Sequence, residues 1–134
     1  MMQLRRIAKF AVVGGVGFAI DAGVLTLVMR ELSSVYMARA LSFSCAVLVT
    51  WLLNRLYVFD PDKRASLAAE YGRYLATQIG GALTNLAVFV ALIESVPRLA
   101  TTPIIPLAIG AVLGALVNYA GSALWVFDAT RPGR

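Results

Sequence analysis

Histidine is absent from this chain of 134 residues, and cysteine occurs once, at Cys45 inside an apolar run. A single thiol cannot build a disulfide framework. Without histidine or paired cysteines no Cys/His zinc site is expected. Charge is also scarce. Asp, Glu, Lys and Arg make up 14% of the residues, where soluble domains carry about a quarter. Carboxylates are few and scattered, so no acid–base pair stands out. Asp60 and Asp62 flank Pro61, and turn chemistry accounts for them. No glycine-rich phosphate loop or dinucleotide fingerprint occurs, which speaks against ATP-driven transport by this chain alone. The expectation is a protein that is not an enzyme and needs neither metal nor cofactor.

What the chain has instead is apolar length. Hydrophobic residues form 60% of it, and the mean hydropathy is +0.79. Four apolar runs lie at roughly 10–29, 36–58, 71–93 and 104–127. Each has the length of about 20 residues that a helix needs to cross a hydrocarbon layer of about 30 Å. Only helices or closed barrels satisfy their backbone groups there, and these runs are too long for barrel strands. The predicted fold is all-α: one polytopic transmembrane domain over residues 1–134 with four membrane helices. The first run contains Gly14, Gly15, Gly17 and Asp21 and precedes no cleavage pattern. It is expected to be a permanent span rather than a signal peptide.

The formal net charge of +5 follows membrane topology rather than a nucleic-acid surface. Nine of the 12 Lys and Arg residues lie in the N-terminal segment, the middle loop region and the tail. Arg30, Arg39 and Arg98 lie in the other two loop regions. This asymmetry predicts a multi-pass cytoplasmic-membrane protein with both termini inside. Tyr57, Tyr71, Tyr74 and Trp125 fall at the predicted inner interface, where amphipathic rings favour the headgroup level.

The two halves also resemble each other. At an offset of 64, Lys9-Phe10 meets Arg73-Tyr74, Gly17 meets Gly81 and Asp21 meets Asn85. At an offset of 68, Leu56-Tyr57-Val58-Phe59-Asp60 meets Leu124-Trp125-Val126-Phe127-Asp128. The predicted arrangement is two repeated helical hairpins of the same orientation, as in parallel-repeat transporters.

Each span carries a stripe of small and polar residues. Gly14, Gly17 and Asp21 share a face of the first by their spacing, and Gln78, Gly81 and Asn85 share one of the third. Ser42, Ala46, Thr50 and Asn54 mark the second; Gly110, Gly114, Asn118 and Ser122 mark the fourth. Two readings stay open. The stripes converge on a polar groove, or they let helices approach closely and bond across one another. Asp21 is the sharpest candidate, because a carboxylate near mid-membrane costs about 2.5–3.5 kcal/mol on insertion scales and usually faces a bundle interior. Arg6, Lys9, Arg55 and Arg73 have an ordinary role in snorkelling and topology. Together they also make a basic rim suited to an anionic headgroup or phosphate. Arg39 lies near the outer end of the second span, where it could pair with Glu31 or Glu94 or meet the same phosphate after transport.

The stretch R-x-x-K-F-x-V-V-G-G-x-G-F-x-x-D, from Arg6 to Asp21, resembles the opening of the GtrA-like family. Asn54-Arg55-Leu56-Tyr57-Val58-Phe59 resembles its N-R-x-[WY]-x-F signature, and Leu124-Trp125-Val126-Phe127 its closing motif. One position departs: Ala123 stands where many members carry a basic residue. If that residue binds phosphate in relatives, this chain does without it. The resemblance implies translocation of a polyprenyl-phosphate-linked sugar across the cytoplasmic membrane, for cell-surface polysaccharide synthesis or modification. It also implies a partner, a polyprenyl-phosphate glycosyltransferase that loads the lipid. Substrate-binding residues are then expected among Asp21, Asn54, Arg55, Asn85, Asn118, Arg6, Lys9, Arg73 and Arg39. Four short helices enclose little volume, so a homo-oligomer or a groove open to membrane lipids is expected. Two other readings remain: a small proton-coupled exporter resembling small multidrug transporters, and a membrane anchor for a glycosyltransferase.

Overall fold

The structure is a computed structural model and describes residues 2–31, 35–61, 66–100 and 104–128. Among these, five α-helices follow in order: α1 (Met2–Val28), α2 (Val35–Leu53), α3 (Leu67–Ser95), α4 (Pro97–Ala100) and α5 (Ile104–Gly121). A π-helical turn extends α2 over Asn54–Val58, and another extends α5 over Ser122–Val126. Four of these segments are long and apolar enough to cross a membrane: Gln3–Val28, Ala40–Val58, Leu67–Ser95 and Ile105–Val126.

The chain divides into two compact units, Met1–Lys63 and Arg64–Arg134. In the first, α1 packs on α2; in the second, α3 packs on α5. The reason for their contrast with a soluble pair lies in the exposed surface. Leu4, Phe18, Leu27, Met37, Leu83 and Val112 are all exposed. Lipid tails solvate such side chains as well as a protein interior does, so burial drives little helix association there. What is buried is mostly small or sits near one end of each pair. Val58 and Phe59 are buried in the first unit, and Tyr74, Val126 and Phe127 in the second.

Two helices run past the apolar runs that announce them. α1 begins at Met2, well before residue 10, and α3 begins at Leu67 rather than Tyr71. At 1.5 Å per residue, α1 is about 40 Å long, about 10 Å more than the hydrocarbon needs. Hydropathy marks only the part that meets lipid. The turns carrying Arg5, Arg6 and Lys9 continue the helix outward, with no proline to stop them. The loop after α3 holds the short α4, opened by Pro97 at its first position, where a missing N–H costs nothing.

Five hydroxyls inside the spans bond to their own helices. Thr26 donates to Ala22 O at 2.7 Å, Ser44 to Ala40 O at 2.8 Å, Thr50 to Ala46 O at 2.8 Å, Thr77 to Arg73 O at 2.9 Å and Thr84 to Gly80 O at 2.9 Å. No water is at hand in a hydrocarbon layer, so the carbonyl four residues back is the nearest acceptor.

Candidate functional site

The ends of α2 and α5 are built alike. In the first π-helical turn the Phe59 N–H reaches back five residues to Asn54 O at 2.9 Å; in the second, the Phe127 N–H reaches Ser122 O at 2.9 Å. The wider turn adds a residue to the helical circuit and re-aims the side chains that follow. It occupies the N-R-L-Y-V stretch in one unit and the S-A-L-W-V stretch in the other, 68 residues apart.

In the first unit this turn meets the N-terminal part of α1. Lys9 Nζ donates to the Tyr57 carbonyl at 3.1 Å. That carbonyl is one of the last on its helix, where intrahelical donors run out and a cation is favoured. The Arg6 guanidinium lies 5.7 Å from the centre of the Phe59 ring, within cation–π range. Phe10 meets the same ring edge-on, with centroids 6.1 Å apart. The opening R-x-x-K-F and the N-R-x-Y-x-F stretch thus come together through three separate contacts. In the second unit Tyr74 packs on Phe127, again with centroids 6.1 Å apart.

Two cavities adjoin this cluster within the first unit. One, of about 450 Å³, is lined by Ala8, Lys9, Val12, Val13, Val16, Leu53, Tyr57 and Val58. The other, of about 350 Å³, is lined by Gln3, Arg5, Arg6, Lys9, Val58 and Asp60. Lys9 and Val58 line both.

The polar stripes are largely packing seams inside each unit. Gly17 faces the Thr50 side chain, and Gly81 faces the Asn118 amide. At the α3–α5 seam the approach is closest. A Cβ on Gly114 would lie 2.6 Å from Gly81 O, and one on Gly110 would lie 2.7 Å from Asn85 O. Both would strike backbone, so only glycine fits there. Gly14 differs: it is exposed, and nothing lies within 4 Å of where its Cβ would stand. It therefore takes no part in the Gly17 contact, although the spacing puts them on one face.

The expected site residues fall into separate groups. Arg6 and Lys9 join the Asn54–Phe59 segment, which holds Asn54, buried, and Arg55, half-buried. Asn85 and Asn118 line the α3–α5 seam. Asp21 is half-buried in α1 and lines neither cavity. Arg73 is half-buried on α3, and its Nε has no hydrogen-bond partner among the described residues; the same holds for buried Asn118 Oδ1 and Ser122 Oγ. Arg39 lies in α2, with its side chain outside the described residues. Sequence reasoning missed Gln3, Arg5 and Asp60 as cavity walls. Arg5 was visible only as a topology charge and Asp60 only as a turn residue. The Tyr57 carbonyl was invisible, since backbone acceptors leave no mark on residue type.

Among the described residues no cluster of three or more metal-ligating side chains occurs. A protein-family model described as GtrA/DPMS, transmembrane domain, matches residues 9–127. No curated protein matches the chain.

Proposed function

The chain belongs to the GtrA/DPMS transmembrane-domain family, a family linked to translocation of polyprenyl-linked sugars and generally considered non-catalytic, and on that premise we propose that it flips a polyprenyl-phosphate-linked sugar across the cytoplasmic membrane. The sugar lipid is loaded by a separate polyprenyl-phosphate glycosyltransferase and used for cell-surface polysaccharide. The observation that carries the reading is the meeting of the two basic-aromatic stretches in the first unit, Arg6 over Phe59 and Lys9 on Tyr57 O.

Such a substrate has three parts: an anionic phosphate, a polar sugar and a long apolar tail. Arg5, Arg6, Lys9 and Arg55 gather at one end of the first unit and suit the phosphate. Asn85, Asn118, Asn54 and Asp21 offer polar contacts within the spans, where the sugar must pass. Arg73 is the second unit's counterpart to Lys9, and Arg39 is one of the cations at the far end. Lipid-facing surfaces leave the tail in the bilayer. The nine-to-three distribution of Lys and Arg supports cytoplasmic termini. The matched π-helical turns and the matched Phe10–Phe59 and Tyr74–Phe127 pairs support a duplicated hairpin. A homo-oligomer would supply the enclosed volume that two helix pairs lack.

The test is transbilayer movement of a labelled polyprenyl-phosphate sugar in reconstituted vesicles. Acceleration by the chain alone is expected, and Arg55→Ala should reduce it. If movement stays at the protein-free rate with and without the glycosyltransferase, the reading fails. Full glycosylation in cells carrying Asp21→Ala and Arg55→Ala would favour the anchor reading instead.

A further inference from the structure

We infer that the two adjoining cavities of the first unit form one binding site for a long-chain lipid phosphate, with the phosphate among Arg5, Arg6 and Lys9 and the first part of the hydrocarbon chain in the apolar groove between α1 and α2. The inference rests on the translocase reading and gives its substrate a place.

The argument starts from the walls. The larger cavity is lined by Ala8, Val12, Val13, Val16, Leu53 and Val58, with Lys9 and Tyr57 among them. Val12 is 67% exposed, so the groove opens outward from the helix pair. In a bilayer that opening faces acyl chains, and an apolar chain enters without leaving its own solvent. The smaller cavity has the opposite character. Three cations line it with one carboxylate, Asp60, so its charge is positive on balance. An apolar groove alone would accept any chain, and a basic patch alone any anion. Joined through Lys9 and Val58, they match a molecule that carries both parts covalently linked.

Lys9 sits at the junction. Its ammonium has three donors, and one is engaged by Tyr57 O. The other two remain to serve phosphate oxygens. The bond to Tyr57 holds the ammonium on the border between the cavities instead of letting it snorkel away. Arg6 is steadied in the same manner by its place over Phe59, which leaves the edge of the guanidinium fork available for a phosphate. The occupant is the lipid that is carried, not bulk anionic phospholipid: the cavity is a niche on one helix pair, whereas bulk lipid meets every exposed face.

The second unit carries a different composition at the corresponding place. At the offset of 64, Glu70 stands opposite Arg6 and Ala69 opposite Arg5, and only Arg73 repeats a cation. Glu70 is 1% exposed. The second unit thus offers a phosphate one cation where the first offers three, so we place the headgroup on the first.

The experiment measures binding of a fluorescent geranylgeranyl monophosphate to the full chain in nanodiscs of zwitterionic lipid. Lys9→Gln is expected to weaken binding about tenfold, the loss that follows from one charge-assisted hydrogen bond of about 1.4 kcal/mol. Lys9→Arg should restore most of it. Val12→Trp, which fills the groove, should weaken binding at least as much, while Arg30→Gln and the lipid-facing Val112→Trp leave it unchanged. Geranylgeraniol and inorganic phosphate should each compete poorly, the first lacking charge and the second lacking a chain. Equal competition by geranylgeraniol, or displacement by phosphatidylglycerol at equal mole fraction, would overturn the inference. So would wild-type affinity in both Lys9→Gln and Val12→Trp. Binding without transport would sink the translocase reading alone; transport at wild-type rate in both variants would sink this site alone.

Discussion

The two helix pairs are built on one plan and finished differently. Both end in a π-helical turn closed by a phenylalanine N–H, and both pack that phenylalanine on an aromatic ring of the partner helix. The second pair is joined along a glycine seam, where Gly110 and Gly114 bring α5 against the backbone of α3. The first pair has no glycine on α2 at the matching positions; Ser42 and Ala46 stand there instead. Its α1 keeps Gly14, Gly15 and Gly23 facing open space, and its basic end opens into two cavities. The two pairs offer similar frames. Small changes in side-chain bulk and charge then make one frame a tight brace and leave the other with room for a ligand.

The strongest way to break this contrast is to put bulk into each pair. Gly114→Leu must displace the Gly81 carbonyl, so its cost should exceed the upper end, about 3 kcal/mol, of ordinary overpacking. Gly14→Leu meets open space and should change stability by less than about 0.5 kcal/mol. Thermal unfolding in mild detergent measures both, and equal losses would erase the distinction.

A smaller effect is expected at the matched phenylalanines. Phe→Ala costs about 3–5 kcal/mol in water-soluble cores. Here part of that term is missing, because the alternative environment is lipid, so a loss of about 2 kcal/mol is expected for Phe59→Ala and for Phe127→Ala alike. Transport should separate them. Phe59→Ala frees Arg6 and should slow translocation more than its stability loss explains; Phe127→Ala should not. Parallel rates in vesicles corrected for folded protein would contradict the asymmetry.

Arg6→Gln comes next. It removes a cation–π contact between a half-buried guanidinium and a buried ring, worth up to about 2 kcal/mol. Stability should fall by no more than this in chemical denaturation, and a drop of several kcal/mol would mean that Arg6 is structural rather than poised for a ligand. The smallest effects belong to the hydroxyls. Thr50→Val and Thr77→Val each remove a bond to the helix's own carbonyl and should cost about 0.6 kcal/mol or less. A large loss at only one of them would reveal a cross-helix role for that threonine.

The four spans could be read from the sequence because hydrocarbon thickness sets their length and scarce charge leaves little ambiguity. The offsets of 64 and 68 could also be read, since glycine, asparagine and aromatic positions recur at them. The site was legible only in part. Arg6, Lys9, Phe10 and Asn54–Phe59 were visible as two motifs, but their contact across 48 positions is a matter of helix pairing, which spacing does not encode. The π-helical turns left no trace either, because the residues that form them are ordinary helix formers. Thr50 looked like a cross-helix polar group, yet its hydroxyl bonds to its own helix, where an acceptor lies close at no conformational cost. Gly14 looked like a packing residue because spacing alone cannot tell which neighbour a helix face meets.

The division of labour between the pairs is tested most directly by photocrosslinking. A diazirine placed in the first isoprene units of a prenyl phosphate would be activated on the full chain in nanodiscs and the adducts mapped by mass spectrometry. The account predicts adducts on α1 between Ala8 and Val16 and on α2 from Leu53 to Val58, reduced by Lys9→Gln. Adducts falling equally on α3 and α5, or a pattern untouched by that substitution, would contradict it.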